Sequence, residues 1–325
     1  MSTRRKFLAA LGLGVVAPRI LIGQESQPEL KRSRWDMLFG SNETTEPEFR
    51  PDPSTWSNET LTAAWIGHAT VLINFYGTWI ITDPVFSGRI GLNVLGLFTL
   101  GPKRLINPAL NFEELPPIDL ILLSHAHMDH LDIPSLSKFK RTIPMVMAKN
   151  TVDVVENMAW KEVHELDWGE SAKVGDLEIE ALEVKHFGWR YPWEEDRSRG
   201  NWNGRSYNAY LLTKNGRHMI FGGDTSNQEY FRSIGGRGLE VDLAIMPIGA
   251  YDPWIFNHCN PEQAVAMANH MNARHIMPIH WRTFIQSDER TMEPIERFKA
   301  ALADQPERIA LESVGQTWAM DQERV

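Results

Sequence analysis

Cysteine is almost absent from this chain: Cys259 stands alone among 325 residues, so no internal disulfide can form and no thiolate-rich zinc site can be built. Long apolar runs are missing as well. The weakly apolar stretch behind the N-terminus covers about ten residues, short of the ~20 that a membrane-spanning helix requires. Basic charge is scarce, with 33 Lys and Arg against 42 Asp and Glu for a net charge of −9. A body of that sign lacks the clustered cations that grip phosphate backbones, which excludes non-specific nucleic-acid binding. No internal repeat is visible at the level of residue identity. What the chain does contain is 42% hydrophobic residues, enough for a substantial core in one large domain or two small ones. Its twelve Trp read mostly as packing.

The first residues, MSTRRKFLAALGLGVVAPRI, pair Arg4 with Arg5 and follow them with Phe7, Leu8 and a short apolar run. Residues 1–23 therefore resemble a twin-arginine-type export signal, either cleaved near its end or kept as an anchor. Such a signal implies a protein exported already folded, periplasmic or membrane-associated. Its loss would remove four basic and no acidic side chains, leaving a net charge of −13. Residues 24–56 read as an irregular lead-in broken by Pro28, Pro47, Pro51 and Pro53, and residues 57–325 as the folded domain, starting near Leu61.

Short β-type runs recur through that domain: LTAAWI, TVLINFY, TWIITD, LILLS, MVMA, EVHELDW, LEIEALEV, YNAYLL, HMIFGG, DLAIMPI, HIMPIH and QTWAM. Helical spacing predicts helices in NTVDVVENMAW, PEQAVAMANHMNA and TMEPIERFKAALADQ. Early hairpins followed by alternating strands and helices imply a mixed α/β body with two sheets covered by helices. Several strands end abruptly in a polar turn with a metal-ligating side chain, at LILLSHAH, LEVKH, MIFGGDT and IMPIH. One sheet edge would collect them.

The densest of these ends is SHAHMDHLD, which places His125, His127, Asp129, His130 and Asp132 straight after an apolar strand. Alternation sends His125 and His127 to one side, and a turn at Met128 would swing Asp129 and His130 toward a second point nearby. That arrangement suits two metal ions held side by side. Neutral imidazoles with a carboxylate match Zn²⁺ or a similar borderline ion, whereas Mg²⁺ and Ca²⁺ sites are built almost wholly from oxygen.

Together with His186, with Asp224 in GGDT and with His280 in PIHW, this run resembles the metallo-β-lactamase superfamily, which implies an αββα four-layer sandwich. WIGHATVLI (65–73), ITDPVFS (81–87), GPKR (101–104), LPPIDLILLSHAHMDHLD (115–132), ELDW (165–168), PIGAYDP (247–253), NPEQAV (260–265) and IHW (279–281) are similar to the branch containing N-acylphosphatidylethanolamine-hydrolysing phospholipase D. The likeness spans about residues 60–285. It implies that His125, His127 and His186 hold one ion, that Asp129, His130 and His280 hold the other, and that Asp224 bridges both alongside a bridging hydroxide. Two divalent ions are thus expected, Zn²⁺ first, with Fe²⁺ or Mn²⁺ accepted by the same ligands. His258, before the NPEQAV helix start, is placed near substrate and counted with Asp129 and Asp224 in the catalytic set. Asp83, His68 and Asp132 are expected to support the ligands without touching metal; Gly222 and Gly223 would let the backbone turn tightly enough to bring Asp224 in.

The chain departs from this branch where substrate would lie. Only WIFN separates Pro253 from His258, the branch's Arg after that proline is missing, and NWNGRSYNAYLL replaces its Trp- and Ser-rich strand. The leading expectation is a phosphodiesterase acting on a phospholipid-like substrate, the runner-up a lactonase of the same superfamily, and the third a non-catalytic lipid- or metabolite-binding protein. A mononuclear iron oxygenase and a β-lactamase fit the motifs less well. Arg190, Arg197, Arg199 and Arg205 read as solvated loop charges, any one of which could instead contact phosphate. Residues 90–100, IGLNVLGLFTL, read as a loop or hairpin packed on the body, or alternatively as an exposed apolar lip making peripheral membrane contact. Oligomeric state is left open.

Overall fold

Alternating burial along the strands decides which side chains meet between two facing sheets. The computed structural model describes residues 39–40, 43–94 and 97–320; the export-type segment and the first part of the lead-in lie outside them. One sheet contains β1 (Leu61–Gly67), β2 (Thr70–Phe75), β3 (Thr78–Thr82), β6 (Leu120–Leu123), β7 (Met145–Ala148), β8 (Val163–Leu166) and β15 (Thr317–Ala319), in the order β15-β1-β2-β3-β6-β7-β8. The other contains β9 (Ser171–Val174), β10 (Leu177–Glu183), β11 (Asn208–Lys214), β12 (Arg217–Phe221), β13 (Val241–Pro247) and β14 (Ala273–Ile279), in the order β14-β13-β12-β11-β10-β9. β4 (Leu92–Val94) and β5 (Phe98–Leu100) pair as a separate hairpin.

Leu120 and Leu122 of β6 point into a core shared with Ile179, Tyr210, Ile220 and Ile245 of the second sheet. Ile121 and Leu123 point the other way, onto Leu131, Leu136 and Phe139. With parallel neighbours on both sides and both faces buried, β6 has to be apolar throughout, which is why it reads as an unbroken run. Helices Pro261–His270 and Glu293–Ala301 bury Val265, Ala268 and Phe298 in the core cluster of the second sheet. The first helix starts at Asn260, whose side chain accepts from Gln263 N while Gln263 reaches back to the Asn260 N–H. The αββα four-layer sandwich is therefore the architecture, with a thin layer over the first sheet.

That thin layer corrects one expectation. NTVDVVENMAW forms two 3-10 turns, Val152–Val154 and Glu156–Met158, rather than a helix. Val154 N and Val155 N bond back only three residues, to the Thr151 and Val152 carbonyls, Ala159 turns the chain at φ +56°, and three Val in four positions resist helical packing. The hairpin within 90–100 is also not packed down at Leu92, Leu97 and Phe98, which are 44%, 80% and 55% exposed. Among the described residues no third strand pairs with this hairpin, although Ile90 at its base is buried against Val85 and Phe284. Trp193, Trp202 and Trp254 are exposed as well, exceptions to the packing role expected of most Trp. Among the described residues no helix is long and apolar enough to cross a membrane.

Strand direction brings the polar ends together. β1 and β3 run antiparallel to β2, and β6 runs parallel to β3. In the second sheet β10 and β12 flank β11 antiparallel, and β13 and β14 continue parallel to β12. Consequently the carboxyl ends of β1, β3, β6, β10, β12 and β14 deliver His68, Asp83, His125, His186, Asp224 and His280, as expected of sites at the carboxyl ends of parallel strands. The backbone is held at positive φ at His68, Asp83 and His280, a conformation that costs non-glycine residues of order 1–3 kcal/mol and clusters at functional sites.

Candidate metal centre

The ligand turn is built by its own backbone. His130 N and Leu131 N both donate to the His127 carbonyl, at 3.1 and 2.8 Å, so the chain reverses at Met128 after β6. Asp83 locks that turn from behind: its carboxylate accepts from Ser124 N at 2.7 Å and from Ser124 Oγ at 2.6 Å, and lies 2.6 Å from His130 Nδ1. His130 therefore donates through Nδ1 and presents Nε2 to the site. Arg190 holds the same turn from the other side, donating from Nη1 to the Ala126 and Leu131 carbonyls at 2.6 and 3.0 Å.

Two clusters form side by side. In one, His125 Nε2 and His186 Nε2 stand 2.8 and 3.2 Å from His127 Nδ1. In the other, Asp129 Oδ2 lies 3.5 Å from both His130 Nε2 and His280 Nε2, which are 3.2 Å apart. Asp224 Oδ2 sits between them, 3.1 Å from His130, 3.2 Å from His280 and 3.9 Å from His186. Gly223 makes this reach attainable: its φ is +55°, and a Cβ there would fall 2.7 Å from Asn208 O and 2.8 Å from Ser124 Cβ. His258 Nδ1 is 3.8 Å from Asp224 Oδ2. All eight residues expected at the site thus meet in one place. Of the supporting residues, Asp83 braces His130, and His68 Nε2 lies 2.9 Å from Asp129 Oδ2. Asp132 instead caps the helix Ile133–Leu136 and accepts from Ser87 Oγ at 2.6 Å, away from the ligands.

These residues fit a cation. Ligands about a tetrahedral ion with ~2.0–2.1 Å bonds stand about 3.3 Å apart, close to the spacings above. Asp224 Oδ1 is buried with no hydrogen-bond partner, so positive charge is wanted there. Burial foremost holds His125 and His127 well below the ordinary histidine range, and it takes His68 and His258 down to about 3. His186 is lowered for the same reason. Neutral imidazoles keep their lone pairs free. Burial also opposes charge on His130 and His280, yet the Asp224 and Asp129 carboxylates outweigh it, raising the first well above its ordinary value and the second to about 9. The same attraction, led by His130, overcomes burial and holds both carboxyls far down.

A cavity of about 460 Å³ opens over His127, Asp129, Asp224 and His258, walled by Phe187, Trp189 and Trp254 and by Ser198, Arg199, Asn257 and Gln286. Of the four loop arginines only Arg199 lines it, and the reading of the others as solvated charges is corrected by their partners. Arg197 pairs with Asp167 at 2.5 Å and lies between Trp168 and Trp202, Arg205 joins Asp153 to Glu194, and Arg190 serves the ligand turn. Sequence reasoning missed Gln286, the hold of Arg190 on the ligand turn and the Asn257 carbonyl, which lies 2.8 Å from His186 Nδ1. None belongs to a ligand motif, and no spacing signal marks them.

The geometry agrees with the chain's relatives. Residues 78–281 match the β-lactamase superfamily domain, and the chain belongs to the metallo-β-lactamase superfamily, as a metal-dependent hydrolase with a His/Asp metal-binding cluster. It is 31% identical over 269 residues to an uncharacterised protein of Mycobacterium tuberculosis, covering 79% of this chain and 68% of that one. It is equally 31% identical, over 260 residues, to N-acyl-phosphatidylethanolamine-hydrolyzing phospholipase D 1 of Caenorhabditis elegans, covering 75% of this chain and 70% of that one. The isothiocyanate hydrolase from Delia radicum gut bacteria superposes with a TM-score of 0.64 at 14% identity, over 80% of this chain and all of that one, a likeness of fold alone.

Proposed function

We propose that the protein is a phosphodiesterase that holds two divalent ions, Zn²⁺ foremost, and hydrolyses a phospholipid-like substrate. The observation that carries the two-ion reading is the position of Asp224 Oδ2, within 4 Å of histidine nitrogens from both clusters. His125, His127 and His186 would hold one ion, Asp129, His130 and His280 the other, and Asp224 both. Paired ions polarise a phosphoryl group and lower the pKa of water, supplying a nucleophile at neutral pH.

The chain's own residues do the rest. Asp83 and the Asn257 carbonyl orient His130 and His186 through their outward nitrogens. Arg199, on the cavity wall, offers a guanidinium to a phosphate oxygen. Phe187, Trp189 and Trp254 give the apolar part of an amphiphile a surface to pack on and exclude water from the reacting group. His258 lines the same cavity as a neutral imidazole beside Asp224, within reach of substrate. Similarity to the nematode phospholipase D supports the phosphodiester class. The exposed Leu97 and Phe98 support peripheral membrane contact through residues 90–100, and the Arg4-Arg5 pair supports export.

The test is turnover by the metal-loaded full chain of N-acylphosphatidylethanolamines, simple phosphodiesters and lactones, with metal-stripped protein as control. Metal-dependent release of phosphatidic acid or a phosphomonoester is expected. Activity on lactones alone would establish the lactonase reading instead, and loss of every hydrolysis with ligand binding retained would leave a binding protein.

A further inference from the structure

Asp129 is held differently from every other side chain at the centre. Among the histidines, His130 is oriented through its outward nitrogen by Asp83 and His186 by the Asn257 carbonyl. Asp129 lines the cavity beside the ligand turn, and two side chains from distant parts of the chain converge on one of its oxygens. Gln286 Nε2 donates to Asp129 Oδ2 at 2.6 Å, and His68 Nε2 stands 2.9 Å from the same atom.

His68 is fixed before it meets the carboxylate. Its N–H donates to Thr283 Oγ1 at 2.8 Å, and its carbonyl accepts from Trp65 Nε1 at 2.7 Å and from His280 N at 3.1 Å. Its Nδ1 is buried without a partner, so the ring proton belongs on Nε2, facing Asp129. Gln286 is set by the loop after β14. Glu289 accepts from Ala250 N, Asp252 N and Ser287 Oγ at 2.6, 3.1 and 2.7 Å, and Trp254 Nε1 donates to the Gln286 carbonyl at 3.3 Å. This loop cannot drift from the 250–254 segment, so the amide stays over the carboxylate.

We propose that Gln286 and His68 are positioning residues that aim Asp129 at the second of the two ions and set how tightly that ion is held relative to the first. The inference rests on the two-ion reading above. Asp129 Oδ2 is 3.5 Å from His130 and His280, whereas the hydrogen bonds of the His125, His127 and His186 trio run to one another, to Ser124 and to the Asn257 carbonyl. Removing a donor frees the carboxylate to rotate toward the cavity, which disorders one cluster and spares the other. Since Gln286 also lines the cavity, substrate that competes for its amide would act on the second ion's affinity.

The experiment titrates Zn²⁺ into metal-free full-length protein by calorimetry, with metal analysis of the product, for the wild type, Gln286→Leu and His68→Phe. Two equivalents are expected in the wild type. In each variant the first equivalent should bind as before and the second about 10–100-fold more weakly, with the melting temperature of the metal-free Gln286→Leu protein unchanged. Wild-type affinity for both equivalents in the variants, or equal weakening of both, would overturn the proposal while leaving two ions intact. Saturation of the wild type at one equivalent would overturn the proposal and the two-ion reading together.

Discussion

Asp83 Oδ2 and His130 Nδ1 lie 2.6 Å apart with both side chains fully buried, and Asp83 also takes both donors of Ser124. One carboxylate therefore ties β3 to the turn that carries four site residues. Replacing it with Ala would free His130 to rotate and leave Ser124 N unpaired, at about 1–3 kcal/mol for the buried donor. The Asp83→Ala protein is expected to lose 10–100-fold in metal affinity and to melt at lower temperature. Metal analysis after dialysis and thermal unfolding of the metal-free protein check the two effects separately.

Arg199 is the one loop arginine on the cavity wall, with Asp196 as its partner at 3.2 Å. A charge-assisted contact to a phosphate oxygen is worth about 1.5–3 kcal/mol, so Arg199→Ala should lower kcat/KM on a phosphodiester about 10–100-fold. Metal content should stay at the wild-type level. Kinetics on an anionic phosphodiester and on a neutral ester decide the matter: an equal loss on both would remove Arg199 from phosphate recognition.

Arg205 sets a pH dependence. It hydrogen-bonds Asp153 and lowers that carboxyl; at Glu194 burial pushes up, and Arg205 with the Arg190 N–H outweighs it. Both folded-state values lie below the unfolded ones, so this stabilisation is complete above the ordinary carboxylate range and disappears as pH falls through the folded values. Because the pair is partly solvent-exposed, its worth is at most about 1 kcal/mol. Urea unfolding of the wild type and Arg205→Ala at stepped pH should show a gap near neutrality that closes in acid. A gap that widened in acid would contradict the assignment.

The hairpin tip offers a cleaner test of membrane contact than a core residue would. Leu97 and Phe98 are largely exposed, so Leu97→Ser with Phe98→Ser should change stability by no more than about 0.5 kcal/mol. Co-sedimentation with phosphatidylcholine vesicles is expected to fall in the double variant. Unaltered association and unaltered lipid turnover would remove the hairpin from any membrane role.

Much of the fold could be read from the chain because buried strands advertise themselves. LILLS, MVMA and DLAIMPI are apolar on both faces, and each appears as a strand bounded within a residue or two of its run. The misreading at NTVDVVENMAW came from apolar spacing alone, which takes no account of three Val in four positions resisting helical packing. The arginines were misjudged for a similar reason. Arg190 sits among aromatic residues and Arg197 among charged ones in the chain, yet their partners, Ala126, Leu131 and Asp167, come from 30 to 64 positions away.

Which residues could bind metal was legible in the chain, at SHAHMDHLD from imidazoles and carboxylates crowding one strand end and at His186, Asp224 and His280 from the family's motifs. How they are aimed was not. His68, Asp83, Asn257 and Gln286 act through hydrogen bonds across 47 to 157 positions of chain. Such bonds have steep distance and angle requirements that no residue spacing encodes. They exist because six strands from two sheets run toward one edge, a property of strand direction and register that appears once the sheets have packed.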